Sequence, residues 1–383
     1  MAYQFSLPGR IIIGENALQE SMSFIQSYGT KALIVTGKIV EKTSAFKAVT
    51  GLLDNCNISY SIFSEITGEP TDKMIESGVK LYTETSSDFI IAIGGGSPLD
   101  SAKAIAAMTT LDGRISDYMG KEITGTLPPL VLIPTTSGTG SETTKFTIIT
   151  DTQRNIKMLL KGDALLPQLA VIDYTFTMTA PQSITAATGM DALTHAVESY
   201  TSKKGNAMTN MYAIDAIKKI FKYLPKAYNN GYDKKAREEM AIASFEAGVC
   251  INNASVTLVH GMSRPIGALF HVPHGISNAM LITECLKYAM SGCYEKFAEM
   301  ARVIGAADEK TGDIEAAKVF ISQLEKLCCV LNIPTLAEYG IKKEDFDASV
   351  DKMADDAMAS GSPANTIKSI TKEDLLVIYQ RLW

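Results

Sequence analysis

The sequence predicts two fold classes in one chain, a Rossmann-like α/β domain with a parallel sheet over residues 1–180 and an all-helical domain over 181–383. Two observations carry this division. Up to about residue 180, short β-branched runs alternate with helical patterns, the layout of βαβ units. Beyond that point strand-like runs nearly vanish and long amphipathic stretches take over. A chain of 383 residues also exceeds what one small core organises, in keeping with two domains.

Taken in order, KALIVT (31–36) reads as a buried strand and YSIF (60–63) as a weaker one. Residues 72–85 have a helical pattern and lead into DFIIAI (88–93), a third strand. PLVLIP (129–134) and LAVID (169–173) add two more. In the second half, 206–221 and 235–252 read as helices, with Pro181 and the region around Gly189 as the junction.

Composition excludes several classes of function. The net charge is −6, and the longest basic clusters, such as Lys203-Lys204, are too short for a nucleic-acid patch. No apolar run has the length of a membrane span. The opening MAYQFSLPGRIII lacks the basic-then-apolar layout of a signal peptide. The six cysteines (Cys56, Cys250, Cys285, Cys293, Cys328 and Cys329) form no CxxC pair, so they read as reduced thiols. The expectation is a cytoplasmic enzyme without nucleic-acid or membrane partners.

Two turns have the character of ligand cradles. DFIIAIGGGSPLD (88–100) is a strand, a glycine turn and a helix start. Its glycines let the backbone approach a ligand, Ser97 is placed to cap the helix, and Pro98 suits its first turn. The free N–H groups there form an anion site suited to a pyrophosphate. A second turn, PTTSGTGSE (134–142), also follows a strand and contains GxG without the full dinucleotide fingerprint. Turns at adjacent strand ends lie on one edge of a parallel sheet, where open α/β folds bind ligands.

Histidine is rare and clustered. All four (His195, His260, His271 and His274) fall within 80 residues, and Asp191 stands four residues before His195, on the same helical face. A mixed nitrogen and oxygen set suits Fe²⁺ or Zn²⁺ better than Ca²⁺ or Mg²⁺.

With these pieces together the chain resembles the iron-dependent (group III) alcohol dehydrogenases, including their lactaldehyde reductase and 1,3-propanediol dehydrogenase members. The resemblance rests on GGGSPLDSAK (94–103), PTTSGTGSE (134–142), ATGMDALTHAVE (187–198) and VHGMSRPIGALFHVPHGISNAM (259–280). It implies the dehydroquinate-synthase-like fold and a homodimer or higher homo-oligomer. It also implies metal ligation by Asp191, His195, His260 and His274. NAD(P)(H) contacts are implied at Gly95, Gly96, Ser97, Thr135, Thr136, Thr139 and Lys157. Asp100 and Lys103 lie in the same motif, as direct contacts or as partners of the helix. A lyase of the same fold would need many basic residues near 240–280, which the sequence lacks.

The chain departs from the family pattern at three places, and two of them, Gly37-Lys38 and Arg264, bear on what it binds. Where many NAD-linked members have an Asp after the first strand, this chain has Gly37-Lys38, which removes repulsion toward a 2′-phosphate and adds charge, so NADP(H) is expected to be accepted. The family's Asn-Pro-Thr turn appears as Glu69-Pro70-Thr71. Arg264 stands where relatives often carry a His. It reads either as a structural ion pair or as a clamp for an anionic substrate. His271 is then the histidine left for proton relay or substrate contact. The expected activity is hydride transfer between NAD(P)(H) and a small primary alcohol or aldehyde, with Fe²⁺ (Zn²⁺ as the other option) as metal. The alternative is a hydroxyacid or sulfo- or phospho-aldehyde substrate held by Arg264.

Overall fold

The computed structural model describes residues 2–154 and 156–383. The chain divides into two compact units, Met1–Ala180 and Pro181–Trp383.

The first unit is built on a six-stranded parallel sheet. Its strands are β1 (Ile11–Ile13), β2 (Lys31–Val35), β3 (Ser59–Phe63), β4 (Phe89–Gly94), β5 (Leu130–Pro134) and, last in sequence, β8 (Leu169–Ile172). They lie in the order β1-β8-β5-β4-β2-β3. A separate antiparallel pair, β6 (Phe146–Asp151) and β7 (Ile156–Lys161), follows β5. The helices are α1 (Ala17–Glu20), α2 (Met22–Gln26), α3 (Ser44–Asn55), α4 (Asp72–Glu84) and α5 (Gly96–Met108).

The central strands are buried on both faces, which is why they read as continuous apolar runs instead of alternating ones. Leu33, Val35, Ile90, Ala92 and Leu132 pack into a core with residues of α4 and α5. Ala32, Ile34, Ile91, Ile93, Val131 and Ile133 face the opposite way, into a core shared with α1, α2 and α3. The chain leaves β2 for β3 on one side and returns to β4 on the other. The strand order therefore reverses between β2 and β4, the place where open α/β sheets bind ligands.

The second unit is helical: α6 (Gln182–Tyr200), α7 (Ala207–Asn229), α8 (Lys234–Asn253), α9 (Leu258–Phe270), α10 (His274–Ala289), α11 (Tyr294–Val303), α12 (Asp313–Val330), α13 (Leu336–Tyr339), α14 (Lys343–Ala359) and α15 (Lys372–Gln380). Helix α6 runs through the middle, packed against α7, α8 and α10 and buried along nearly all its length. Among the described residues no single helix is long and apolar enough to cross a membrane.

Three local expectations change. Gly189 is no junction but lies inside α6, where a Cβ would meet Leu224 Cδ1 at 2.3 Å; the helix begins directly after Pro181. Ser97 does not cap α5: Gly95 is the cap and Ser97 is already helical. Strand β1 and the β6–β7 hairpin add to the five expected strands.

Candidate functional site

Three helices of the second unit converge on one point. Asp191, His195 and Glu198 stand at i, i+4 and i+7 on α6, so they share a face. Helix α9 supplies His260, and α10 opens with His274. Helix α10 approaches α6 so closely that a Cβ on Gly275 would sit 2.5 Å from the Ala187 carbonyl oxygen. Glycine at that position is what allows His274 to reach the cluster.

Asp191 Oδ1 lies 3.7 Å from His195 Nε2, 3.7 Å from His260 Nε2 and 3.6 Å from His274 Nε2. All four donor atoms fall within 4.8 Å of one another. A tetrahedral ion with bonds of about 2.1 Å would separate its ligands by about 3.4 Å, close to these spacings. Three imidazole nitrogens and one carboxylate oxygen therefore fit a borderline divalent cation in both chemistry and geometry.

Burial, outweighed by Glu198 and Asp191, leaves His260 above the ordinary imidazole value, so an ion at the cluster would compete with its proton. Burial disfavours charge on Asp191, but His195, His274 and His260 around it hold its carboxyl well below the usual range. Burial pushes His274 down to about 3, against the pull of Asp191, which leaves that ring neutral, with Asn278 Nδ2 3.2 Å from its Nε2. His260 Nδ1 donates to Glu198 Oε2 at 2.6 Å, so its Nε2 faces the cluster as an acceptor. Glu198 is fully buried; its other oxygen accepts from Thr257 Oγ1 at 2.9 Å and from the Val259 amide at 2.5 Å. Although burial would raise its carboxyl, His260 beside it brings it below the ordinary value. Asn278, four residues after His274, donates from Nδ2 to Asp191 Oδ1 at 2.8 Å, with its Oδ1 held by Ser263 Oγ at 2.5 Å. Glu198 and Asn278 were not anticipated from sequence. The repeat at i, i+4 and i+7 on α6, and at i, i+4 on α10, is the signal that points to them.

Arg264 follows His260 by one turn of α9. Its Nη1 donates to Ser362 Oγ at 3.1 Å. Among the described residues no carboxylate lies within ion-pair distance of it, against the structural ion-pair reading. His274 is held down first by burial, and the Arg264 charge also contributes, so the guanidinium lies within electrostatic reach of the cluster. His271 is the left-handed C-cap of α9 (φ 54°) and is exposed, outside the group of four.

In the first unit the two glycine turns meet. Strands β4 and β5 are neighbours, with Gly94 opposite Pro134, and the Thr135 amide donates to the Gly94 carbonyl at 2.8 Å. A Cβ on Gly96 would lie 2.9 Å from Thr139 Cγ2, so a larger residue would force the second turn away. Gly95, Gly96, Ser97, Thr135, Thr136 and Thr139 are all partly accessible on this edge. They surround the N-terminus of α5, which offers amides to an anion. Gly37 and Lys38 follow β2 at the same strand-order reversal, Lys38 being exposed.

Two residues expected near the cofactor have other partners. Asp100 is bound within the fold: Oδ1 accepts from Ser141 Oγ at 2.5 Å and Oδ2 from the Ile148 amide at 3.0 Å. These bonds give Asp100 the role of a partner within the fold, one of the two readings its place in the motif offered. Lys157 on β7 pairs with Glu69 at 2.6 Å, which joins the variant Glu-Pro-Thr turn to the hairpin.

Residues 8–174 match the family model described as iron-containing alcohol dehydrogenase, and residues 185–383 match the C-terminal model of the Fe-containing alcohol dehydrogenase family. The chain is 35% identical over 362 residues to the NAD-dependent methanol dehydrogenase of Bacillus methanolicus, spanning 94% of this chain and 95% of that one. The crystal structure of a 1,3-propanediol oxidoreductase superposes with a TM-score of 0.96 at 33% identity, covering 100% of both chains. Sulfoacetaldehyde reductase from Bifidobacterium kashiwanohense, solved with NAD+, has a TM-score of 0.88 at 26% identity, covering 100% of this chain and 99% of that one. With both halves matched and the Asp-His cluster in place, the chain belongs to the iron-containing alcohol dehydrogenase family, a family of oxidoreductases.

Proposed function

We propose that this protein transfers hydride between NAD(P)(H) and a small primary alcohol or aldehyde, with a divalent metal held by Asp191, His195, His260 and His274. The observation that carries the reading is the buried convergence of those four donor atoms within 4.8 Å. Fe²⁺ is the ion the family implies, and Zn²⁺ satisfies the same donor set. When bound, the ion supplies Lewis acidity to the substrate oxygen. Glu198 keeps His260 in the tautomer that presents Nε2. His271, exposed three residues before His274, is the histidine available to exchange the alcohol proton with solvent.

Gly95, Gly96 and Ser97, with the start of α5, hold the pyrophosphate, while Thr135, Thr136 and Thr139 supply hydroxyls from the facing turn. Lys157 reaches the nicotinamide ribose and is oriented by Glu69. Gly37 and Lys38 form the adenosine end and favour NADP(H). The protein works in the cytoplasm as a dimer or larger homo-oligomer, without nucleic-acid or membrane partners.

The test is oxidation of NADPH and NADH with a panel of short aldehydes, before and after chelation and after Fe²⁺ or Zn²⁺ readdition. Activity lost on chelation, restored by metal, and absent from His260→Ala is the expected result. Turnover that survives complete metal removal would refute the metal-dependent mechanism.

A second reading has its own support. Arg264 has no carboxylate partner among the described residues and acts electrostatically on His274. A guanidinium so placed suits an aldehyde carrying a carboxylate, sulfonate or phosphate.

A further inference from the structure

Lys103 is the most deeply committed charge in the first unit. It lies on α5, is fully buried, and its Nζ touches four oxygens: the carbonyls of Ser141 (2.5 Å), Thr144 (2.8 Å) and Phe146 (3.0 Å), and Thr144 Oγ1 (2.9 Å). One turn earlier on the same helix, Asp100 takes Ser141 Oγ and the Ile148 amide, and its own carbonyl accepts from Thr147 Oγ1 at 2.8 Å. Segment 141–148, which follows directly on the second glycine turn, is thus fastened to one face of the helix whose N-terminus is the first glycine turn.

We propose that Lys103 is a positioning residue for dinucleotide binding: its ammonium fixes the hydroxyl-rich turn 135–140 against the N-terminus of α5, so that both halves of the phosphate cradle stand ready before the nucleotide arrives. The proposal rests on the dinucleotide reading given above. A cradle ordered in advance spares the ligand the cost of ordering it, which appears as affinity.

The protonation state argues that this lysine is not kept for stability. Burial brings it down to about 8 from 10.5, with Asp100 and then Glu142 opposing the shift. The unfolded chain therefore holds that proton more tightly, and stability falls as pH drops from about 10.5 to about 8 and stays lower below it. An apolar residue of similar length would spare the fold that cost. What it could not do is gather three main-chain carbonyls around one point.

The decisive experiment titrates wild type and Lys103→Met with NADPH by cofactor fluorescence and follows hydrogen exchange over 135–148. We expect at least a 10-fold weaker affinity and faster exchange confined to that segment, with unchanged metal content in the helical unit. In turnover the nucleotide KM should rise at least 10-fold while kcat at saturating nucleotide stays within about 3-fold. Affinity and exchange equal to wild type would overturn the proposal. Should Lys103→Met not fold, Thr144→Val removes the hydroxyl that accepts from Lys103 and donates to the Ser141 carbonyl, and a few-fold loss of affinity with faster local exchange is expected; no change in that variant would overturn the proposal. If wild type itself binds neither NADPH nor NADH, the dinucleotide reading fails and the positioning role fails with it, whereas the exchange data alone still report whether Lys103 orders the turn.

Discussion

The two units use buried polar groups in opposite ways. In the α/β unit, Lys103 and Asp100 spend their bonding on main-chain groups and hydroxyls of the same unit, and what they present to a ligand is backbone and small side chains. In the helical unit, Asp191 and three histidines are aimed at one another with the lone pairs converging. The lesson is about where function is concentrated. A ligand held by amides and hydroxyls along two turns shares its binding among many weak donors, so that no single side chain carries it. An ion held by four side chains depends on each of them.

This contrast sets a scale of expected losses. Glu198→Gln keeps the size of the side chain that orients His260 but removes its charge, and metal affinity should fall about 10- to 100-fold. Competition with a chromogenic chelator measures this, and an unchanged affinity would show that the buried carboxylate does not tune the centre. Arg264→Ala is expected to raise the KM of an anionic aldehyde about 10-fold, on the order of 1.5 kcal/mol for a hydrogen-bonded charge pair, and to leave a neutral aldehyde of similar size unaffected. Equal effects on both would make Arg264 a structural group. The smallest effect belongs to the α/β unit: Lys38→Ala should shift the NADPH-to-NADH preference by a few-fold, on the order of 1 kcal/mol or less for an exposed charge. Lys38 is the better probe there than Gly37, whose Cβ would lie 2.9 Å from the Ile66 carbonyl oxygen. If Lys38→Ala cost more than Glu198→Gln, the contrast itself would fail.

Much of this was legible in the sequence because its physical causes are local. Strands buried on both faces are continuous apolar runs, and the glycine turns stand at the ends of two of them. The histidine cluster was visible because histidine is so scarce in this chain, and the family resemblance set Asp191, His195, His260 and His274 apart from His271. What escaped depends on pairing across distance. Strand β1 has three residues, and its partner β8 lies about 160 positions away. The β6–β7 hairpin carries an alternating burial pattern in β6, weaker as a signal than the long apolar strands around it. Asp100 and Lys103 lay in a recognisable motif, yet nothing in their spacing told that their partners would be residues 141–148. Glu198 was within reach of the helical period from Asp191, but a glutamate inside a helix reads first as a solvated one.

The four donors of the cluster sit on three separate helices, α6, α9 and α10. An ion bound there would be a cross-link as well as a cofactor, because only the folded chain brings the four donors together. By mass action it stabilises by about 2.7 kcal/mol at a free concentration 100 times its dissociation constant. The melting of this half of the chain would then be a gauge of metal supply, moving up as the free ion rises and down as a chelator removes it.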